Sequence, residues 1–302
     1  MFSFNFLKKK VIFMKKKPVD SIKNWMVLLV VAALGLVACE KTVVLDLKQT
    51  EPKVVVDALL TTDSTRHYVR LTRTVDFSNR DTPPAITDAR VTVTDGQTTW
   101  EYRHQADRPG WYLPDQPFAG RAGRFYRLRI ETGGQVIEGG DELVRITDID
   151  SIRFELDTDR VDNPDSDETD EQKARVFSLL FYAREPQETR DYYLLKQYRN
   201  GKRIDNNGTQ VLASDDELIG EAIDGVNLLD HYAPGDTAVV EMFSITRTAF
   251  VFYSDLLNVL NNDGGMFSPI PADPRSNLTG GALGLFQVSD VRRRSAVAPQ
   301  LP

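Results

Sequence analysis

The sequence predicts a mainly β protein in two parts, the second of which carries a single amphipathic helix. Three observations predict it. Apolar and polar residues alternate with a two-residue period through much of the chain from Lys53 onward. Turn dipeptides, among them Asp95-Gly96, Gly133-Gly134 and Asn200-Gly201, punctuate those runs. One stretch alone, "TRTAFVFYSDLLNVLNN", carries a persuasive helical stripe.

The chain opens with a segment unlike the rest. Lys15, Lys16, Lys17 and Lys23 form a basic region, Met26 to Gly35 an apolar one, and small residues follow. The apolar run, Trp25 to Ala38, is short of the roughly 20 residues of a spanning helix and is interrupted by Glu40 and Lys41. Residues 1–38 therefore read as a secretory signal peptide, with translation starting at Met1 or at Met14. Leu36-Val37-Ala38-Cys39 resembles the bacterial lipobox, in which the cysteine thiol takes a diacylglycerol and becomes the first residue after cleavage. Cys39 is the only cysteine, and its acyl chains would hold the mature protein to a membrane. Residues 39–51 then form the lipidated N-terminus and a tether, in which Val43, Leu45 and Leu47 alternate as in a strand.

From Pro52 the strands follow in order. "KVVVDALL" and "HYVRLTRTVDF" alternate as half-buried strands do. In "ARVTVTDGQTTWEYRH" Val91 and Val93 point one way, Asp95-Gly96 turns, and Trp100 and Tyr102 return on a partner strand. "GWYLPD" and "RFYRLRIETGGQVIEGGDEL" continue the series, the latter turning through Gly133-Gly134. So many short strands without a helix predict an immunoglobulin-like β-sandwich over residues 52–146, lacking the Cys-Trp-Cys landmark of antibody domains.

A second β-rich domain is expected over 147–302. "ITDIDSIRFELD" reads as a strand, and "NPDSDETDEQ" as an acidic loop too polar to pack. "ARVFSLLFYARE", "RDYYLLKQYRNGKRI" and "DTAVVEMFSI" are further strands, with Asn200-Gly201 as a hairpin turn. A helix is expected near 246–262, capped by Thr246, stopped by Gly264-Gly265, with Phe250, Tyr253, Leu257 and Leu260 as its apolar stripe. "SNLTGGALGLFQVSD" is a glycine-rich entry into a last strand. No repeat of fixed period is present.

Composition excludes several functions. Without residues 1–38, which hold seven lysines and one aspartate, the chain has 30 basic and 43 acidic side chains, a net charge of −13. Such a surface disfavours nucleic acid, and Arg292-Arg293-Arg294 is too small a basic cluster to offset it. With Cys39 acylated no thiol remains for disulfides, zinc or nucleophilic catalysis. The signatures G-x-S-x-G, H-E-x-x-H, G-x-x-x-x-G-K-[ST] and G-x-G-x-x-G are absent. His67, His104 and His231 lack metal-ligand spacing and read as surface or turn histidines.

Several other patterns have plainer readings. Counting an EF-hand from Asp157 places Asp162 where glycine must turn the loop, although Glu168 falls at the twelfth position. Asp159, Asp165, Asp167 and Asp170 complete a stretch that reads as a solvated loop without the fixed carboxylate pair of a glycosidase. Gly280, Gly281 and Gly284 precede a strand, so close packing or a bulge explains them better than anion binding. Trp100, Tyr102, Trp111 and Tyr112 could form a sugar-stacking platform, but strands are rich in aromatics anyway. Asp63-Ser64-Thr65, Asp150-Ser151-Ile152 and Asp236-Thr237-Ala238 resemble a short O-glycosylation motif of exported proteins.

Taken in order, the lipobox with "CEK", then "EPKVVVDALLT", "VRLTRTVDF", "ARVTVTDG", "GWYLPD", "YRLRIET", "DYYLLKQYRNGK", "GDTAVVEMFSIT" and "NLTGGALGLF", resemble a family of Bacteroidota lipoproteins, the domain of unknown function 4249. The resemblance implies an outer-membrane lipoprotein anchored at Cys39, acting without catalysis as an accessory or binding partner of a TonB-dependent receptor in envelope transport. It brings no catalytic, cofactor or metal-binding residue with it, and leaves the ligand-binding residues and the choice of periplasmic face or cell surface open. Two other readings stand beside it: a stand-alone surface adhesion or structural module, and, less well supported by the residues, an envelope hydrolase.

Overall fold

The computed structural model describes residues 51–75, 82–163, 165, 167–184, 189–204, 212–215, 222–261 and 272–301. The signal segment, Cys39, the tether up to residue 50 and the expected helix stop at Gly264-Gly265 lie outside them. The protein is mainly β, and the body from Thr50 onward clusters as one compact unit. Among the described residues no helix is long and apolar enough to cross a membrane.

The first seven strands are β1 (Val54–Thr61), β2 (Tyr68–Arg73), β3 (Arg90–Thr94), β4 (Thr99–His104), β5 (Trp111–Pro114), β6 (Phe125–Thr132) and β7 (Gln135–Glu142). The two-residue period decides which side chains they bury. On β1, Val54, Val56, Ala58 and Leu60 enter one core, where they meet Val69, Leu71, Val91, Val93, Leu128 and Ile130. The β3–β4 hairpin has the expected register, Val91 opposite Tyr102 and Val93 opposite Trp100. Gly133 and Gly134 turn β6 into β7 with φ of 54° and 76°, left-handed values that glycine adopts at no steric cost.

These strands, expected as a sandwich, are hydrogen-bonded along one path together with β15 (Leu283–Ser289), in the order β15-β1-β2-β5-β4-β3-β6-β7. The sheet curls until its edges, β15 and β7, approach each other. Side chains do much of the closing. Asp141 on β7 accepts a hydrogen bond from the Val288 amide of β15 at 3.0 Å. Asn277 donates to the carbonyls of Gly140 and Phe286 and accepts from the Phe286 amide. Burial pushes the Asp141 carboxyl up to about 6, against the opposing effect of that amide and the Thr246 hydroxyl.

β15 pairs in parallel with β1, Val56 facing Gly284. Gly284 has φ of 105°, and a Cβ there would fall 1.9 Å from the Val56 carbonyl oxygen. Gly284, expected ahead of the strand, is its second residue, and close packing explains it.

The remaining elements form two further sheets. β8 (Ile149–Leu156), β9 (Phe177–Arg184) and β13 (Ala222–Tyr232) make a three-stranded sheet in the order β13-β9-β8. β10 (Tyr192–Arg199), β14 (Thr237–Ile245) and β16 (Val291–Val297) make the larger one, with β11 (Lys202–Arg203) and β12 (Leu212–Asp215) also paired to β10. The two face each other across a core of Leu179, Phe181, Tyr193, Tyr232, Val240 and Met242. Asn200, with φ of 51°, and Gly201 form the expected hairpin turn.

The expected division at 146/147 is bridged at the chain's end. β15 belongs to the rolled sheet, and β16, one residue later, belongs to the five-stranded one. Buried Asp290 between them accepts from the Thr62 hydroxyl and the Arg292 guanidinium, so both layers are tied at the bend.

The acidic stretch expected as a loop contains two short helices, α1 (Thr158–Asp162) and α2 (Asp170–Lys173). Asp157 caps the first, and Thr169 with Gln172 forms a capping box on the second. Arg160 joins them by an ion pair with Glu168 at 2.8 Å. Local side-chain bonds therefore order a segment that buries no residue in either helix.

The long helix α3 (Arg247–Leu260) begins where expected, the Thr246 hydroxyl accepting from the Ala249 amide. Its packed face differs from the expected stripe. Ala249 and Phe252 are buried, Phe250, Tyr253 and Leu256 pack at their margin, and Leu260 is exposed. The cause is position: α3 meets Leu59 and Leu285 of the rolled sheet together with Leu194 and Phe243 of the five-stranded one. Small Ala249 lets it approach both.

Candidate functional site

The junction that receives α3 also encloses a cavity of about 310 Å³. Strand alternation builds it. Because Val56 and Ala58 point into the rolled sheet, Asp57 and Leu59 point out of it. On β10, Tyr193 faces the three-stranded sheet, so Tyr192 and Leu194 face β1 and α3. Lys196, two residues on, shares that second face.

The walls are apolar: Leu59 from β1, Leu194 from β10, Leu285 from β15, and Phe252 and Leu256 from α3. Polar groups converge at one side. Tyr68 donates to Asp57 at 3.0 Å, and burial holds its hydroxyl far above the usual phenol range. Tyr253 donates to Gln287 at 2.5 Å, with its hydroxyl likewise raised by burial. Arg203 and Asp57, both exposed, mark where the cavity meets solvent.

Lys196 is the unusual member. Its ammonium lies 4.6 Å from the centre of the Phe243 ring and has no hydrogen-bonded acceptor among the described residues. Burial, assisted by the nearby Arg203 charge, lowers its pKa to about 8, against the attraction of Asp57 and Glu241. Glu241 itself is satisfied elsewhere. That buried carboxylate takes Arg66 at 2.6 Å and the Tyr198 hydroxyl at 2.9 Å, with Arg293 at 3.8 Å. Burial and Glu241 together push the Tyr198 hydroxyl up to about 12. The cleft therefore presents an underpartnered cation between apolar walls and a polar rim, an arrangement suited to recognising a ligand.

A larger depression, about 530 Å³, lies on the outer face of β3, β6 and β7 beside Phe125. Its Arg129 is already paired with Glu131 and Glu138. Its Arg127 lies over the Phe125 ring at 5.3 Å but is exposed, so water already solvates that charge.

The residues singled out from sequence are dispersed. His67, expected at the surface, is 3% exposed and stacks on Phe118 with ring centroids 4.3 Å apart. Its Nδ1 accepts from the Thr61 amide and its Nε2 meets the Phe118 carbonyl, which defines a neutral ring, and burial lowers its pKa. His104 ends β4 and accepts from the Gly110 amide. His231, expected in a loop, lies on β13 with Nε2 3.0 Å from Asp157.

The aromatic quartet does not make a platform, because strand register divides it between two faces. Tyr102 and Trp100, opposite Val91 and Val93, turn inward, as does Tyr112 opposite Val69. Trp111, opposite Arg70, turns outward and carries Arg108 over its ring at 3.9 Å. The three short Asp-Ser/Thr motifs lie at a turn, where Asp63 accepts from Thr65, on β8, and at the start of β14.

A family model described as Domain of unknown function (DUF4249) matches residues 40–295. The chain belongs to this family. A search of curated proteins gives no match. The DUF4249 match covers the rolled sheet, the three-stranded sheet, α3 and the five-stranded sheet as far as residue 295 in β16, and so every residue of the cleft. Sequence reasoning passed over Lys196 and Asp57. The signal was present: each is a lone charge within an apolar run, "YYLLKQY" and "VVVDALL", placed by alternation on a face otherwise apolar.

Proposed function

We propose that this DUF4249 protein is a non-enzymatic lipoprotein of the bacterial outer membrane, anchored through Cys39, that acts by binding as an accessory of a TonB-dependent receptor. One observation carries the reading. Leu36-Val37-Ala38-Cys39 stands behind a basic and then apolar leader, and the family match starts at the next residue, 40. A diacylated cysteine holds a body of this kind to a bilayer, where a single chain would hold it marginally.

Binding is favoured over catalysis by what the carboxylates do. Asp157 caps α1 and meets His231, Asp255 clamps Arg275 at 2.7 Å, and Asp141 joins β7 to β15 and to the Thr246 hydroxyl. Each of these acids has a structural task, whereas the cleft offers a charge and an apolar enclosure.

The test is fractionation of native membranes followed by gentle-detergent purification through a C-terminal tag. The wild-type chain is expected in the outer-membrane fraction with a large β-barrel receptor attached, and Cys39→Ser unprocessed and absent from the outer-membrane fraction. Equal outer-membrane recovery and equal processing of Cys39→Ser overturn the anchor, and recovery of the wild-type protein with no receptor overturns the partnership.

A further inference from the structure

We infer that the cleft between β1, β10 and α3 is a binding site for a small amphipathic carboxylate, with its anionic head on the Lys196 ammonium and its apolar body against Leu59, Leu194, Phe252 and Leu256. The inference rests on the binding reading of the function and is independent of the membrane anchor.

Lys196 is half-buried, and a cation that loses part of its hydration gains from an anion or several acceptors, of which an aromatic face supplies only part. Among the described residues Lys196 has the Phe243 ring alone. The two carboxylates near it are committed: Asp57 accepts from Tyr68, and Glu241 is held by Arg66 and Tyr198. A ligand carboxylate placed at the ammonium would make a charge-assisted hydrogen bond in a setting where it is strong.

The sign of the ligand follows from the lining. Asp57 is engaged by Tyr68 and the Lys196 ammonium has no hydrogen-bonded acceptor among the described residues, so an anionic head is favoured there and a cationic one repelled. The shape follows from the walls. Aliphatic and aromatic side chains, Leu59, Leu194, Phe252 and Leu256 among them, line much of the cavity, and about 310 Å³ is at the small end of ligand sites, which suits a compact body rather than a long acyl chain. Entry is from the side of Asp57 and Arg203, both exposed.

The experiment is isothermal titration of the full-length chain in non-ionic detergent with 4-phenylbutyrate, 4-phenylbutanol and 4-phenylbutylamine. The acid is expected to bind about tenfold or more tightly than the alcohol, and the amine more weakly than either. Lys196→Met should bring the acid down to the level of the alcohol, while Lys196→Arg keeps the preference. Leu256→Trp, which fills the cavity from the helix side, should abolish binding of all three with circular dichroism unchanged. Removing a cation that lacks an ion-pair partner does not threaten the fold, and the Trp variant supplies a separate arm. Equal affinity for acid and alcohol, an unchanged response in Lys196→Met, or no binding of any probe overturns the inference. None of these outcomes alters where the Cys39→Ser chain fractionates, so a failure here is distinguishable from a failure of the anchor.

Discussion

Replacing Asp141 by Asn should make the protein gain on the wild type as pH rises. Asp141 is 4% exposed, and burial holds its carboxyl at about 6, whereas an aspartate in an unfolded chain titrates near 3.9. Below about pH 4 both states carry the proton, and Asp141 favours neither. Between about pH 4 and pH 6 the unfolded chain releases its proton while the folded one keeps it, so folding loses up to roughly 3 kcal/mol of stability across that window and no more above it.

Asparagine mimics the protonated acid. Its carbonyl oxygen can accept from the Val288 amide, and its amide can donate to the Thr246 oxygen, the two partners Asp141 has now. The measurement is urea denaturation of both chains at pH 4, 5, 6 and 7. The stability of Asp141→Asn minus that of wild type should rise by about 2–3 kcal/mol from pH 4 to pH 7. A constant difference, or a wild type that gains on the variant, would mean that the two hydrogen bonds outweigh burial and the reasoning fails.

Gly284→Ala should prevent the β1–β15 pairing rather than merely weaken it. Its Cβ would lie 1.9 Å from the Val56 oxygen at a φ that L-residues rarely adopt, so loss of soluble, cooperatively folding protein is expected. A cooperative melt within a few degrees of wild type would contradict the register. Arg66→Ala leaves Glu241 buried with Tyr198 and the more distant Arg293, and should cost about 3 kcal/mol in chemical denaturation. A cost under about 1 kcal/mol would place this pair among surface ion pairs of little consequence.

Local chemistry was legible in the sequence. The β3–β4 register, the glycine turn at 133–134, the Asn200-Gly201 hairpin and the Thr246 cap all depend on residues a few positions apart, and all occur as read. What escaped depends on partners distant in sequence. Nothing near Leu283 indicates that its strand runs parallel to β1, because the complementarity lies in the backbone clearance at Gly284. The packed face of α3 turned from the Leu257–Leu260 side toward Ala249 and Phe252 because two sheets, rather than one, receive the helix. His67 read as a surface residue since nothing local shows that Phe118 will stack on it. The cleft was hidden for the same reason. Its charges come from β1, β10 and β11, and only the fold brings them together.

The parallel neighbour of β1 comes from far along the chain. In a polypeptide made from its N-terminus, one margin of β1 stays bare until β15 has been made. Loss of β15 would consequently be felt along β1, at the other end of the described sequence.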